Sequence, residues 1–159
     1  MARWYQAQTL SCELIMKSKH SDLTQRYMIL LKIDSKNLSD RVKTRHSEYI
    51  EAFSLKRDRS IFKEVFFSRY GKATIFDLSH LPVEVIEVAN DFYQEADKLY
   101  WYLLNTQDMP NTIEDEVIRY AHSLEMKFNT LELFIDAELS GRPAITDEEM
   151  QIFSDENFV

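Results

Sequence analysis

Two stretches of the chain repeat one spacing of apolar residues. Val85, Ala89, Phe92, Ala96, Leu99 and Leu103 fall at intervals of 4, 3, 4, 3 and 4. Val117, Ala121, Leu124, Phe128, Leu131 and Ile135 fall at the same intervals. Steps that alternate between three and four keep every member of a set on one side of a 3.6-residue helix. Ile86, Tyr93 and Tyr100 widen the first seam, and Glu84, Glu87, Asp91, Glu95 and Asp97 occupy its far side. Residues 105–111 form a short polar connection. The pattern therefore predicts an antiparallel helical hairpin with helices over 83–104 and 112–139. Pro82 suits the first turn of the first helix, with Ser79 as its candidate cap. Thr112 is the candidate cap of the second, and Glu114, Asp115 and Glu116 place carboxylates against the positive end of its dipole. Gly141 and Pro143 stop it.

Glycine and proline are otherwise scarce. Only Gly71, Gly141, Pro82, Pro110 and Pro143 occur in 159 residues. A chain with so few turn residues does not suit a many-stranded sandwich or barrel. The expected fold is an all-α bundle of five or six helices in a single domain spanning 1–159, built on the hairpin. Residues 2–17 and 38–70 are helix-prone, and Lys56 to Ser60 mark a bend or break. Residues 22–33 and 72–78 are ambiguous, because a short apolar run has no period of its own. If 25–33 and 72–78 were strands, they would pair and the fold would become α+β with a small two-stranded piece. Residues 144–159 read as a short acidic helix from Thr146 followed by a loose tail. No repeat or linker interrupts the chain.

Several chemistries are excluded or disfavoured. Two distant glycines cannot form a Walker A loop, a dinucleotide fingerprint or a nucleophile elbow. Cys12 is the one cysteine, so no intramolecular disulfide and no cysteine-rich zinc site can form. His20, His46, His80 and His122 lack the spacing of helical metal motifs. No metal and no cofactor is expected. The longest apolar runs, 27–31 and 99–104, are far short of the ~18 residues that span a bilayer. No secretory apolar core follows Met1 to Gln6. The expectation is a cytoplasmic protein with no membrane partner.

Charge is divided unevenly. Residues 1–83 carry 15 Lys+Arg against 9 Asp+Glu, and residues 84–159 carry 4 against 18. Either the halves compensate each other on packing, or one face meets a charged partner. The basic residues Arg41, Lys43, Arg45, Lys56, Arg57 and Arg59 are candidates for phosphate contacts. Five acids dilute the same segment.

Arg41 and His46 are separated by four residues. That spacing resembles the R-x4–6-H motif of HEPN ribonucleases, which are helical bundles acting as dimers. The resemblance implies His46 as general acid or base and Arg41 as the stabiliser of phosphate charge. Without the resemblance, His46 is a half-buried helix histidine beside solvated cations. Glu125-Met126-Lys127 matches the end of the PD-(D/E)xK nuclease motif. It lies inside a periodic helix, whereas that chemistry holds its metal on strands, so it reads as a solvated charge pair.

The outer faces of the hairpin carry apolar residues that the seam does not use. Met126 and Leu133 lie on the far side of the second helix, flanked by Tyr120 and Phe134. Trp101 and Tyr102 leave the seam of the first. For Met126 and Leu133 the favoured expectation is burial inside a larger bundle. Trp101 and Tyr102, near Glu95 and Asp97, suggest an interface. The functional expectation is a non-enzymatic, acidic helical interaction module of inhibitor, immunity or adaptor type, binding a protein of basic character. Its partner-binding candidates are Trp101, Tyr102, Met126, Leu133, Glu95 and Asp97. RNA binding or cleavage through residues 38–72 is the alternative. A homodimer is compatible with either.

Overall fold

The computed structural model describes the backbone of residues 2–141 and the side chains of residues 22–141. Its elements are α1 (Ala2–Thr44), α2 (His46–Lys56), α3 (Phe62–Val65), a 3-10 turn (Tyr70–Lys72), α4 (Ile75–Leu78), α5 (Val83–Asn105) and α6 (Pro110–Ser140). Among the described residues the fold is all-α, and the two-stranded alternative falls. Residues 25–33 belong to α1, and 72–78 contain the end of the 3-10 turn and α4. The acidic helix expected from Thr146 lies outside the described residues.

The hairpin is present in the predicted arrangement. All six seam residues of α5 are buried, as are Val117, Leu124, Leu131 and Ile135 of α6; Ala121 and Phe128 are half-buried. Removing these side chains from water is the main favourable term in the fold. The caps differ from expectation. Pro82 is itself the N-cap of α5, and Ser79 instead closes α4. Helix α6 starts two residues early, with Met109 as N-cap and Pro110 at the first helical position, where its missing N–H has no consequence. Thr112 therefore lies inside the helix. Gly141 ends α6 at φ 64°, the left-handed conformation that glycine adopts without a Cβ penalty.

Helix α1 supplies the third rod. Met28, Leu31, Leu38 and Val42 enter the core, with Ser35 and Ser39 buried between them. Ser35 donates its hydroxyl hydrogen to the carbonyl of Leu31 at 2.9 Å, so its polar atom is satisfied locally. Lys32 reaches Asp136 (2.8 Å) and Glu132 (3.1 Å), and Lys43 reaches Glu125 at 2.5 Å. Rising numbers on α1 meet falling numbers on α6, so these two helices run antiparallel.

The helix-prone stretch 38–70 is broken twice. The chain turns at Arg45, and Tyr49, fully buried at the start of α2, donates its hydroxyl to the Val42 carbonyl at 2.8 Å across the turn. Helix α2 then ends at Arg57 in the left-handed region (φ 52°, ψ 28°), inside the predicted break. Arg57 and Arg59 both stand over the Phe53 ring, at 5.5 and 4.9 Å.

Leu124 is about as buried as a residue can be (1% exposed), and it faces α5 in mid-helix. Leu124→Ala should lower the unfolding free energy by about 2–5 kcal/mol. Urea unfolding followed by circular dichroism would measure the loss. A change below about 1 kcal/mol would mean the seam is not closed there.

Candidate functional site

The residues singled out on α5 gather with Tyr120 of α6. Gln94, Asp97, Lys98, Trp101, Tyr102 and Tyr120 line an open groove of about 510 Å³. Trp101 is 69% exposed, an unusual position for the largest apolar side chain. Tyr102 is half-buried, stacks on Tyr120 (ring centroids 6.4 Å apart, planes at 29°) and donates its hydroxyl to Asp108 at 2.8 Å. Burial, then Asp108, holds the Tyr102 phenol above its ordinary range. Arg119 covers Tyr120 at 4.4 Å and is itself paired with Glu116. Withdrawal of water lifts the Asp97 carboxyl above the ordinary carboxylate range. The groove therefore combines three aromatic rings with Asp97, Asp108 and Glu116 nearby.

The other interface candidates divide. Glu95 is buried, and its carboxylate accepts from Ser123 of α6 at 2.8 Å and from Lys98 at 3.3 Å. Burial alone would raise its pKa, but those bonds and the charges of Lys98 and Lys127 outweigh it and hold it low. Glu95 therefore joins α5 to α6 and is not available as a surface contact. Met126 and Leu133 are 57% and 48% exposed, so the expected burial inside a larger bundle does not occur. They lie two residues on from the buried Leu124 and Leu131, roughly 200° around the helix, and face away from the core. They do not line the Trp101 groove.

Arg41 and His46 are sent to different places. Arg41 bonds the carbonyls of Val65 (3.0 Å) and Phe67, satisfying acceptors at the end of α3. His46 bonds the carbonyl of Lys43 through Nδ1 at 3.0 Å and lines a second groove with Val117, Ile118, His122 and Glu125. The break at Arg45 separates them, so they do not face one shared groove. The remaining cations of the segment are largely engaged within the fold. Arg45 pairs with Glu48 and Glu64, Lys43 with Glu125, and Arg59 donates to the Thr106 carbonyl at 2.6 Å. Arg57 covers Phe53, and Lys56 is exposed. Glu125-Met126-Lys127 is helical. Among the described residues no group of three or more His, Cys, Asp or Glu side chains could hold a metal, and no helix is long and apolar enough to cross a membrane.

A polar cluster that the sequence reading missed centres on Asp34. Its carboxylate accepts from the Ser68 hydroxyl (2.7 Å), the Arg69 and Tyr70 amides (3.0 and 3.4 Å) and the Tyr93 hydroxyl (2.9 Å). Tyr70 lies flat on Tyr93, with ring centroids 4.0 Å apart and planes at 3°. Burial, then Asp34, raises the Tyr93 phenol. Asp34 sits between Ile33 and the polar run Ser35-Lys36-Asn37 in α1, and nothing in its neighbourhood announces partners 34 and more residues away. The second anchor was also missed, although a Thr-x-x-Asp pattern marks it. Thr74 and Asp77 form a capping box on α4, and Asp77 also accepts from Tyr27 of α1 at 2.8 Å.

No protein-family model, curated protein or solved structure matches the chain.

Asp77 is held below the ordinary carboxylate range by the Thr74 amide, the Thr74 hydroxyl and the Tyr27 hydroxyl. A depressed native pKa adds stability that is complete above the unfolded value, about pH 4, and is lost as the pH falls through the native value. Asp77→Asn should thus be destabilising at about pH 7, and its deficit should shrink as the pH is lowered through about 4 to 3. Urea unfolding of both proteins across that window would measure it. An equal deficit at every pH would remove the Asp77 carboxylate from the account.

Proposed function

We propose that this chain is a non-enzymatic, acidic helical module that binds a protein partner through the α5–α6 groove. The observation that carries the proposal is Trp101, which stands in water while the seam residues on either side of it are buried. An exposed indole costs solubility and contributes little to the bundle, so its place is best accounted for by a partner that covers it. Tyr102 and Tyr120 extend the surface, and Asp97, Asp108 and Glu116, set against Lys98 and Arg119, leave it one net negative charge. Such a surface suits an arginine or lysine packed over the indole face, with the carboxylates drawing the cation in. An inhibitor, immunity or adaptor role is compatible with such a surface, and the acidic balance of residues 84–159 points toward a basic partner.

The RNA alternative has less behind it. Arg41, Lys43, Arg45 and Arg59 are held by carbonyls or carboxylates of the fold, which leaves fewer donors for phosphate oxygens.

The test is affinity capture from the native host with the wild-type chain and with Trp101→Ala, read by quantitative mass spectrometry. One dominant basic protein should be captured and then lost with the variant. Its purified complex should weaken by about 2 kcal/mol, roughly thirtyfold in Kd, while helicity and melting stay unchanged. Retention of that protein by Trp101→Ala, or RNA cleavage lost with His46→Ala, would contradict the proposal.

A further inference from the structure

A separate cavity of about 290 Å³ opens between α1, the 69–81 segment and α5. Leu31, Leu78, Leu81 and the stacked pair Tyr70 and Tyr93 supply apolar and flat aromatic lining. Leu30, 56% exposed, stands among the lining residues with Arg69 and Lys72, which are also exposed. The volume sits near the lower end of small-molecule sites, which suits a ligand of about two fused rings.

The charged residues of the lining bear on the ligand's polarity. The cavity holds two carboxylates, and both are already supplied with donors by the fold. Asp34 accepts from Ser68, Arg69, Tyr70 and Tyr93, and Asp77 accepts from Thr74 and Tyr27. Most of their acceptor capacity is taken up in this way, and the Oδ1 atoms of Asp34 and Asp77 receive one donor each, from the Arg69 amide and the Tyr27 hydroxyl. The cations are the opposite case. Among the described residues, neither Arg69 nor Lys72 is paired with an acid through its side chain. Lys72 rests only on the Phe67 ring at 5.1 Å. The cations exposed at the cavity are therefore the charged groups that the fold leaves without a side-chain acceptor, and a ligand that brings an acceptor with negative charge suits them. A guanidinium and an ammonium together suit a carboxylate, and the stacked tyrosines suit a planar ring system.

We propose that the cavity between α1 and the 69–81 segment binds a small aromatic carboxylate, its ring against the leucines and Tyr70–Tyr93 and its carboxylate on Arg69 and Lys72. The site is distinct from the Trp101 groove, shares no lining residue with it, and does not depend on the protein-binding proposal.

The test uses 2-naphthoate as probe and its neutral amide, 2-naphthamide, as the charge control. Each is titrated into the full chain and followed by amide shifts in the 69–73 region. The carboxylate should saturate with a Kd of about 1 mM or tighter, and the amide should bind at least about tenfold more weakly. Arg69→Gln with Lys72→Gln should cost the carboxylate about the same factor. Ala73→Leu should abolish binding by filling the cavity. Ala73 lies in extended backbone (φ −67°, ψ 137°) that a leucine adopts without strain, so the variant is expected to fold. Equal affinity for the amide, unchanged binding by Ala73→Leu, or no saturation by the carboxylate would each overturn the proposal.

Discussion

Leu99 and Leu103 of α5 and Leu124 and Leu131 of α6 are withdrawn from water along one line, and the rest of the molecule is arranged around that line. Neither amphipathic helix can bury its apolar stripe alone, so each supplies the other's interior. The closed hairpin then offers a second apolar surface, which α1 covers with Met28, Leu31, Leu38 and Val42. Once α1 lies there, Asp34 and Tyr27 are placed to receive the 66–82 segment, through the Ser68, Arg69 and Tyr70 donors and through Asp77. The irregular part of the chain is thus held by hydrogen bonds to a framework set by burial. It follows that this segment is the less stable part of the bundle.

The uneven charge of the two halves is partly resolved by packing. Lysines of α1 meet carboxylates of α6 at both ends of their contact, Lys32 with Asp136 and Glu132, and Lys43 with Glu125. Exposed ion pairs of this kind add only about 0–1 kcal/mol each, so they select the antiparallel register more than they stabilise the bundle. Within the basic segment, Lys43 and Arg45 are matched by acids of the chain. Asp97 has no such role between helices and lines the groove of the exposed indole, while Asp108 accepts from Tyr102 and Glu116 pairs with Arg119.

The hairpin was legible because α5 and α6 carry an apolar residue at nearly every inward position. Helix α1 was obscure for a related reason: Ser35 and Ser39 occupy inward positions, so the 3.6-residue period fades while the helix continues. Burial of a serine is tolerated when its hydroxyl bonds the preceding turn, as that of Ser35 does, and such bonds leave no mark in a hydropathy pattern. Residues 72–78 were ambiguous because a run as short as Ala73 to Phe76 has no period to read; Ile75 and Phe76 are 88% and 72% exposed, and the Thr74–Asp77 capping box defines the local helix. Of the interface candidates, Trp101, Tyr102 and Asp97 stood out by their departure from the seam, and they line one groove. Glu95 misled because it was read as part of the solvated far side of α5, whereas it is buried and Ser123 of the facing helix donates to it. The Asp34 cluster depends on contacts across long sequence separations, and no local pattern encodes those.

The central claim is a hierarchy, in which burial between α5, α6 and the 28–42 part of α1 fixes the frame and the 66–82 segment docks upon it. Native-state hydrogen exchange of the full chain tests this most directly. The account predicts that amides around Leu99, Leu103, Leu124 and Leu131 exchange only through global unfolding. Amides of 66–82 should exchange through a smaller opening that leaves the three helices protected. Faster exchange in the middle of α5 or α6 than in the 66–82 segment would contradict it.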